Sequence, residues 1–316
     1  MPNIVVTEIC NLKCEYCFAD SMMKSKHISQ EEFYKILKFI RRDGTNSLGL
    51  IGGEPLMHPH INRLIEMAYE EGIERISIFT NGIFLDRIRE EVEKHANLNI
   101  LINVNSPTDM GMDNYIRLCN NIDYYAKNGR KGQLNFGVNI YKKNQDFRYI
   151  VELLKKFGYS KLRCAIVVPD DNVKMSMHEY FSMLQPTAVE LFQELLDNGI
   201  IPRFDCNAVP DCLLETIPKK NIEKMKTKWN NSTRNIFSQI KKCHPVIDIF
   251  SDYTAIRCFG LSQITKVSLD NFLNITELKQ FYRDTFDLVI EDKIIGCQHC
   301  EKYKVSCYAG CLKFYI

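Results

Sequence analysis

The sequence predicts an α/β chain in which repeated strand–helix units occupy the first 170 residues and a cysteine-rich module of different character follows. Three observations carry this expectation. Apolar runs rich in β-branched residues alternate with stretches of 3.6-residue periodicity. The segments between successive runs are long enough for right-handed crossovers, so the strands should be parallel. The 13 cysteines fall mainly in a group near the N-terminus and a set in the C-terminal third. Periodicity alone leaves open whether the sheet is an open doubly wound one or a partial barrel.

Taken in order, the strand candidates are 3–8 (Asn3 to Glu8), 48–51, 75–79, 98–104, 133–141 and 162–168. Helices are expected near 30–42, 60–71, 84–96, 112–128 and 145–157. The first opens on Ser29 and Glu32, a capping box that satisfies two backbone donors reciprocally. A further helix is expected from Thr187 to Asn198, closed by Gly199. Beyond it both periodicities weaken while Lys, Asn and Cys increase. The sequence therefore divides into 1–199 and 200–316, the second part having a core thin enough that bound metal would be needed to stabilise it.

Composition narrows the function classes. With 316 residues, 45% hydrophobic and 25% charged, the chain is an ordinary globular one and not a disordered one. A formal charge of +2 gives no electrostatic reason to expect nucleic acid. No apolar run is long enough for a membrane span, and residues 1–10 lack the pattern of a signal peptide, so a soluble cytoplasmic protein is expected. In that compartment thiols stay reduced, so clustered cysteines read as metal ligands. Cys119 and Cys164 stand apart from the clusters and are expected to be small core residues.

Directly after the first strand comes Cys10-Asn-Leu-Lys-Cys14-Glu-Tyr-Cys17, a C-x3-C-x2-C triplet. Three soft thiolates on one loop suit an iron–sulfur cluster, and three ligands leave the fourth iron of a four-iron cluster open. Zinc would ask for a fourth ligand, and the next imidazole, His27, is at no familiar spacing. The loop also follows a parallel strand, where α/β proteins build their sites.

With Tyr16 before its last cysteine, the triplet resembles the signature of the radical S-adenosylmethionine (radical SAM) superfamily. Three more stretches match in the same order: Gly52-Gly53-Glu54-Pro55, Thr80-Asn81-Gly82 and Asn103-Val104-Asn105-Ser106, each at the end of an expected strand. The resemblance implies a partial (β/α)6 barrel and an open iron that chelates S-adenosylmethionine, which an electron cleaves to a 5′-deoxyadenosyl radical. It also implies that Gly52, Gly53 and Glu54 hold the methionine amino group, that Asn103 reaches the carboxylate or ribose, and that Asn81 lies near the nucleoside. Tyr16 and Asn139 are further cofactor contacts on this reading, and Asn105 is either a contact or a plain strand-end residue.

The C-terminal set ends in C-x2-C-x6-C-x3-C, comprising Cys297, Cys300, Cys307 and Cys311, preceded by Cys243 and Cys258 and, earlier, Cys206 and Cys212. Eight thiolates suffice for two four-iron clusters. This block resembles the SPASM extension of radical SAM enzymes, which would assign Cys243, Cys258 and Cys311 to one auxiliary cluster and Cys297, Cys300 and Cys307 to the other, with Cys206 and Cys212 completing them. The spacing of six before Cys307, Tyr253 in place of a glycine, and the end of the chain at Ile316 without a seventh cysteine depart from that pattern. A zinc knuckle over 297–311 is the alternative.

The resemblance implies an oxidoreductase that abstracts hydrogen from a peptide, as in ribosomal peptide modification or crosslinking, with auxiliary clusters passing electrons or binding substrate. Phe259 stands where sulfatase maturases carry a catalytic Asp, which disfavours that activity. Because the first strand begins at Asn3, peptide recognition would come from the barrel mouth, the C-terminal module or a separate leader-binding protein. A flavodoxin- or ferredoxin-like protein would donate electrons. The alternatives are radical oxidation of a small molecule such as an amino sugar or alcohol, and a non-catalytic iron–sulfur electron carrier. No catalytic acid or base is assigned. His58 and His60 are expected at a surface or helix start, Met22 and Met23 in packing, and Asp170 is a candidate for proton relay.

Overall fold

Strand–helix alternation governs the chain from its third residue. The computed structural model describes residues 1–17, 19, 25–168, 175–203, 212, 242–294, 296–305 and 307–316. These form two units: Met1–Phe136 with Pro245–Phe286, and Gly137–His244 with Asp287–Ile316. Each unit draws residues from both sides of the compositional division at 199/200. Met22, Met23, Asp170 and Cys206 lie outside the described residues.

The first unit runs β1 (Asn3–Thr7), α1 (Gln30–Arg41), β2 (Ser47–Gly52), α2 (Ile61–Glu70), β3 (Arg75–Thr80), α3 (Arg89–Lys94), β4 (Leu98–Asn103), α4 (Pro107–Met110), α5 (Met112–Lys127) and the start of β5 (Leu134–Ile140). The second holds the rest of β5, then α6 (Arg148–Phe157), β6 (Lys161–Ile166), α7 (Met177–Asp197) and β7 (Ile201–Arg203). The chain returns to the first unit with β8 (Asp248–Ile249), β9 (Thr254–Ile256), α8 (Ser262–Thr265), β10 (Val267–Ser268) and α9 (Ile275–Tyr282), and α10 (Leu288–Glu291) belongs to the second.

All six expected strands are present, each end within two residues of its expected place. In the first unit the order is β10-β9-β8-β1-β2-β3-β4. Strands β8, β1, β2, β3 and β4 are mutually parallel, while β9 is antiparallel to both its neighbours. In the second unit β5, β6 and β7 are parallel. Strand β1 is buried at all five positions, as a strand covered on both faces must be. Helix α1 buries Phe33, Ile36, Leu37 and Ile40, the i, i+3, i+4, i+7 stripe that faces a core, and its Ser29–Glu32 capping box forms as expected.

Several elements differ from expectation for identifiable reasons. Helix α7 begins at Met177, ten residues before Thr187, and contains Pro186. Proline ordinarily breaks a helix interior. Here a second capping box, Ser176 with Glu179, starts the helix, and Tyr180 and Phe181 pack on Phe314 within the same unit. Helix α6 starts at Arg148 because Gln145 braces the preceding loop, donating to Asn139 O at 2.9 Å and accepting from Tyr141 N at 3.1 Å. The expected helix 84–96 is a 3-10 turn, Leu85–Ile88, followed by the short α3. Strands β8 to β10 were not expected, since two or three residues carry no period-2 signal. Cys164 is buried in β6 as expected, but Cys119 is only partly buried, flanking the inward stripe of Leu118 and Ile122 on α5.

Residues Phe250 to Tyr253 close the hairpin between β8 and β9 through hydrogen bonds from Phe250 N to Thr254 O (2.9 Å) and from Tyr253 N to Phe250 O (3.1 Å). Tyr253 has φ +61°, a region that favours glycine. Its ring is held by α1, with Lys35 Nζ 3.6 Å from the centroid and Phe39 edge-on at 6.1 Å.

A candidate active site at the strand ends

The Gly52-Gly53-Glu54 turn sits where β1 and β2 end together. Their register shifts between Val5 and Thr7, and the chain beyond β1 then runs directly against the turn. Gly53 N donates to Thr7 O and Glu54 N to Ile9 O, both at 2.8 Å. A Cβ on Gly52 would lie 2.2 Å from Thr7 O, and one on Gly53 would lie 2.4 Å from Ile9 O. Backbone of the same chain thus imposes both glycines, independently of any ligand.

Glu54 is the hub of the turn and is 1% exposed. Its Oε1 accepts from Leu56 N (3.0 Å) and Thr80 Oγ1 (2.6 Å), and its Oε2 accepts from Asn81 N (2.8 Å). One carboxylate thereby caps a 3-10 turn and ties the end of β2 to the end of β3. Burial pushes its pKa up to about 7, against the opposing hydrogen bonds from Thr80, Asn81 and Leu56. Among the described residues, only Asn81 N donates to Oε2, which leaves one of its acceptor positions open.

Asn81 reaches back to the cysteine loop, its Nδ2 donating to Asn11 Oδ1 at 2.8 Å, while its own Oδ1 accepts from Ile83 N. At the end of β4, Asn103 Nδ2 donates to the Tyr16 hydroxyl at 2.6 Å, Tyr16 donates to Asn105 Oδ1 at 2.5 Å, and Asn105 Nδ2 donates to Cys14 Sγ at 3.6 Å. The donors run in one direction from β4 to a thiol of the triplet. Asn103 Oδ1 is buried with no hydrogen-bond partner among the described residues. Buried acceptors are rarely left so, and a ligand hydroxyl or ammonium would satisfy it.

Cys10, Cys14 and Cys17 lie on the loop after β1, Cys10 and Cys17 exposed and Cys14 partly so. Burial raises the Cys10 thiol to about 11 and raises Cys14, and in each case other thiols of the triplet add to the effect. Among the described residues no three His, Cys, Asp or Glu side chains are gathered as tightly as a bound metal would hold them. The residues nevertheless fit an iron–sulfur cluster with S-adenosylmethionine: three soft donors on one loop, a spare carboxylate acceptor on Glu54 and an orphaned acceptor on Asn103. Asn139, on the part of β5 in the second unit, is partly buried.

In the second unit Cys307 and Cys311 are buried, Cys243 and Cys297 partly so, and Cys212 and Cys300 exposed. Burial raises the Cys297 thiol, and Cys307, Cys212 and Cys300 raise it further, so each of these three lies within electrostatic reach of Cys297. Tight turns shape this segment, with Cys300 N donating to Cys297 O and Cys307 N to Lys302 O, both at 3.0 Å. Cys258 belongs to the first unit, where Arg257, fully buried, donates from Nη1 to its sulfur at 3.7 Å. Sequence reasoning missed Asn11, Thr80 as a partner of Glu54, and Arg257. Asn11 and Thr80 stand inside quoted motifs, which was the available signal.

Residues 4–172 match the radical SAM superfamily. GTP 3′,8-cyclase of Chlorobaculum tepidum is 37% identical over 86 residues, covering 27% of this chain and 26% of that protein. The probable GTP 3′,8-cyclase of Methanococcus vannielii is 27% identical over 179 residues, covering 54% and 59%. The chain therefore spans less than two thirds of either relative. Among solved structures, native anSMEcpe with bound AdoMet and Kp18Cys peptide has a TM-score of 0.68 at 16% identity, covering 99% of this chain and 89% of that one. Streptococcus suis SuiB bound to precursor peptide SuiA has a TM-score of 0.55 at 15% identity, covering 90% and 64%. At such identity these likenesses speak to fold, the α/β architecture of the radical SAM type. The four motifs at the strand ends, the parallel sheet that aligns them and the match across more than half its length make this chain a member of the radical SAM superfamily.

Proposed function

We propose that the protein is a radical SAM oxidoreductase that removes hydrogen from a peptide, with auxiliary clusters in its cysteine-rich part. The observation that carries the radical site is the hydrogen-bonded chain from Asn103 through Tyr16 and Asn105 to Cys14, together with the buried Glu54, which acts electrostatically on Cys10. When bound, a four-iron cluster on Cys10, Cys14 and Cys17 with S-adenosylmethionine supplies a reductively generated 5′-deoxyadenosyl radical. The protein's own residues do the rest. Glu54 offers its remaining acceptor position to an ammonium, Asn103 Oδ1 offers its own to a ribose hydroxyl, and Tyr16 holds both asparagines in place.

Gly52, Gly53 and Asn81 shape that cradle. For the auxiliary sites, the electrostatic reach of Cys212, Cys300 and Cys307 to Cys297 supports one four-thiolate set. Cys206, Cys243 and Cys311 remain for the other. An electron donor of flavodoxin or ferredoxin type would serve the exposed cysteine loop.

A peptide substrate is supported by the likeness to two peptide-bound structures over most of this chain. The same initiation on a small molecule is the second reading, favoured by the relatives named GTP 3′,8-cyclase. One assay separates them: anaerobic reconstituted protein, dithionite and S-adenosylmethionine are offered a pooled peptide library, GTP or an amino sugar. A peptide losing two hydrogens, with one 5′-deoxyadenosine and one methionine formed per event, is expected. Turnover of GTP or the amino sugar alone would sink the peptide reading.

A further inference from the structure

His58 follows the Gly52–Pro55 turn, and neither the cluster ligands nor the cradle uses it. Its side chain is buried, contrary to a surface role, and both ring nitrogens are engaged. Nε2 lies 2.9 Å from Ile28 O, and His60 N donates to Nδ1 at 3.1 Å. A carbonyl can only accept and an amide N–H can only donate, so these partners assign a neutral ring protonated on Nε2. An imidazolium would turn a donor toward the His60 amide.

The carbonyl that His58 holds belongs to the return arm of the segment that starts at Cys10. Ile28 N donates to Val6 O at 3.0 Å, Glu8 N donates to Lys26 O at 2.8 Å, and His27 bridges Thr7, so residues 26–28 run antiparallel along β1. On the other side, His58 N donates to Pro55 O at 3.0 Å, closing the 3-10 turn that Glu54 caps. The ring is thus a direct tie between the turn bearing Glu54 and the arm returning from the cysteine loop. The groups facing it are basic. His27 is edge-on at 5.2 Å, its buried Nδ1 without a hydrogen-bond partner among the described residues, His60 is at 6.3 Å, and Arg87 donates to Leu56 O and, at 3.5 Å, to Pro59 O. Burial first, and then these neighbours, hold the His58 imidazolium below its ordinary pKa, which favours the neutral form.

We propose that His58 is a positioning residue: its neutral imidazole locks the return arm of the cysteine loop to the Glu54 turn and keeps the adenosylmethionine cradle in register with Cys10, Cys14 and Cys17. The proposal rests on the functional reading above, and its test separates the two. Wild type, His58→Leu and His58→Gln are reconstituted as full chains, and S-adenosylmethionine binding is followed at pH 8 through the spectrum of the reduced cluster. His58→Leu loses both hydrogen bonds and is expected to bind about tenfold more weakly at unchanged iron content. His58→Gln can still donate to Ile28 O and is expected to stay within about threefold of wild type. Leu equal to wild type, or Gln as impaired as Leu, overturns the inference and leaves the functional reading standing. A wild type that binds no S-adenosylmethionine overturns that reading and this role with it.

Hydrogen exchange over residues 25–29 keeps the test decisive should His58→Leu fail to fold. At pH 8, where the ring is neutral, exchange over these residues should be about fivefold faster than wild type in His58→Asn, whose amide is too short to reach Ile28 O, and unchanged in His58→Gln. Equal exchange in wild type and His58→Asn overturns the inference.

Discussion

The Glu54 carboxylate accepts three hydrogen bonds where water does not reach it, and burial still carries its pKa from the ordinary 4.5 to about 7. Between those values the folded protein holds a proton that the unfolded chain has lost. Stability therefore falls as pH rises through this window, and the contribution is complete only below the unfolded pKa. A shift of this size corresponds to roughly 3 kcal/mol. Asp248, also buried and raised to about 7, adds a slope of the same sign. Glu54→Gln should flatten the pH dependence of unfolding between pH 5 and 7.5 by roughly 3 kcal/mol, leaving the Asp248 part. It should also be less stable than wild type at pH 5 by about 1–3 kcal/mol, because an amide placed at Oε2 cannot accept from Asn81 N. Chemical denaturation at several pH values measures both, and parallel curves would refute the linkage. The motif around Glu54 was legible as residues, but its partners were not, since Thr80 and Asn81 meet it from 26 and 27 positions away.

At the scale of elements, the hairpin that carries β9 toward Cys258 turns on a tyrosine in a backbone region costly for any residue with a Cβ. Contacts to Lys35 and Phe39 offset that strain. Tyr253→Ala removes the contacts and keeps the strain, whereas Tyr253→Gly removes both. The glycine variant should therefore be the more stable of the two by about 1 kcal/mol in thermal unfolding, with the alanine variant well below wild type. Equal stability of the two would mean that the turn relaxes out of the left-handed region. Helix α7 makes the complementary point, since its start was written in Ser176 and Glu179 in the same form as Ser29 and Glu32. Pro186 obscured it, because local propensity counts the missing N–H and not the packing of Tyr180 and Phe181 on Phe314.

On the scale of the whole chain, the cysteines divide between the two units. Cys10, Cys14, Cys17 and Cys258 lie in the first, and Cys212, Cys243, Cys297, Cys300, Cys307 and Cys311 lie in the second. With four irons per cluster, anaerobic reconstitution should yield about twelve irons in the wild type and about eight in a Cys10/Cys14/Cys17→Ala variant. About four irons falling to none, with zinc present, would reduce the cysteine-rich part to a structural knuckle. No described helix is long and apolar enough to cross a membrane.

The sequence by itself determined the six principal strands, the Ser29–Glu32 capping box and the four motifs that mark the radical SAM family, because each is written in residues close together in the chain. Periodicity and capping are local, and a thiolate triplet within eight residues declares its chemistry without reference to the fold. Only the tertiary structure decided that Gly52 and Gly53 answer to the backbone of Thr7 and Ile9, and that Tyr16 joins Asn103 and Asn105 to Cys14 across almost ninety positions. The same holds for strands β8 to β10 and for the ring of His58 under the return arm. Contacts of this kind come from how parallel strands bring distant ends to one edge, and a one-dimensional pattern carries no record of which ends will meet.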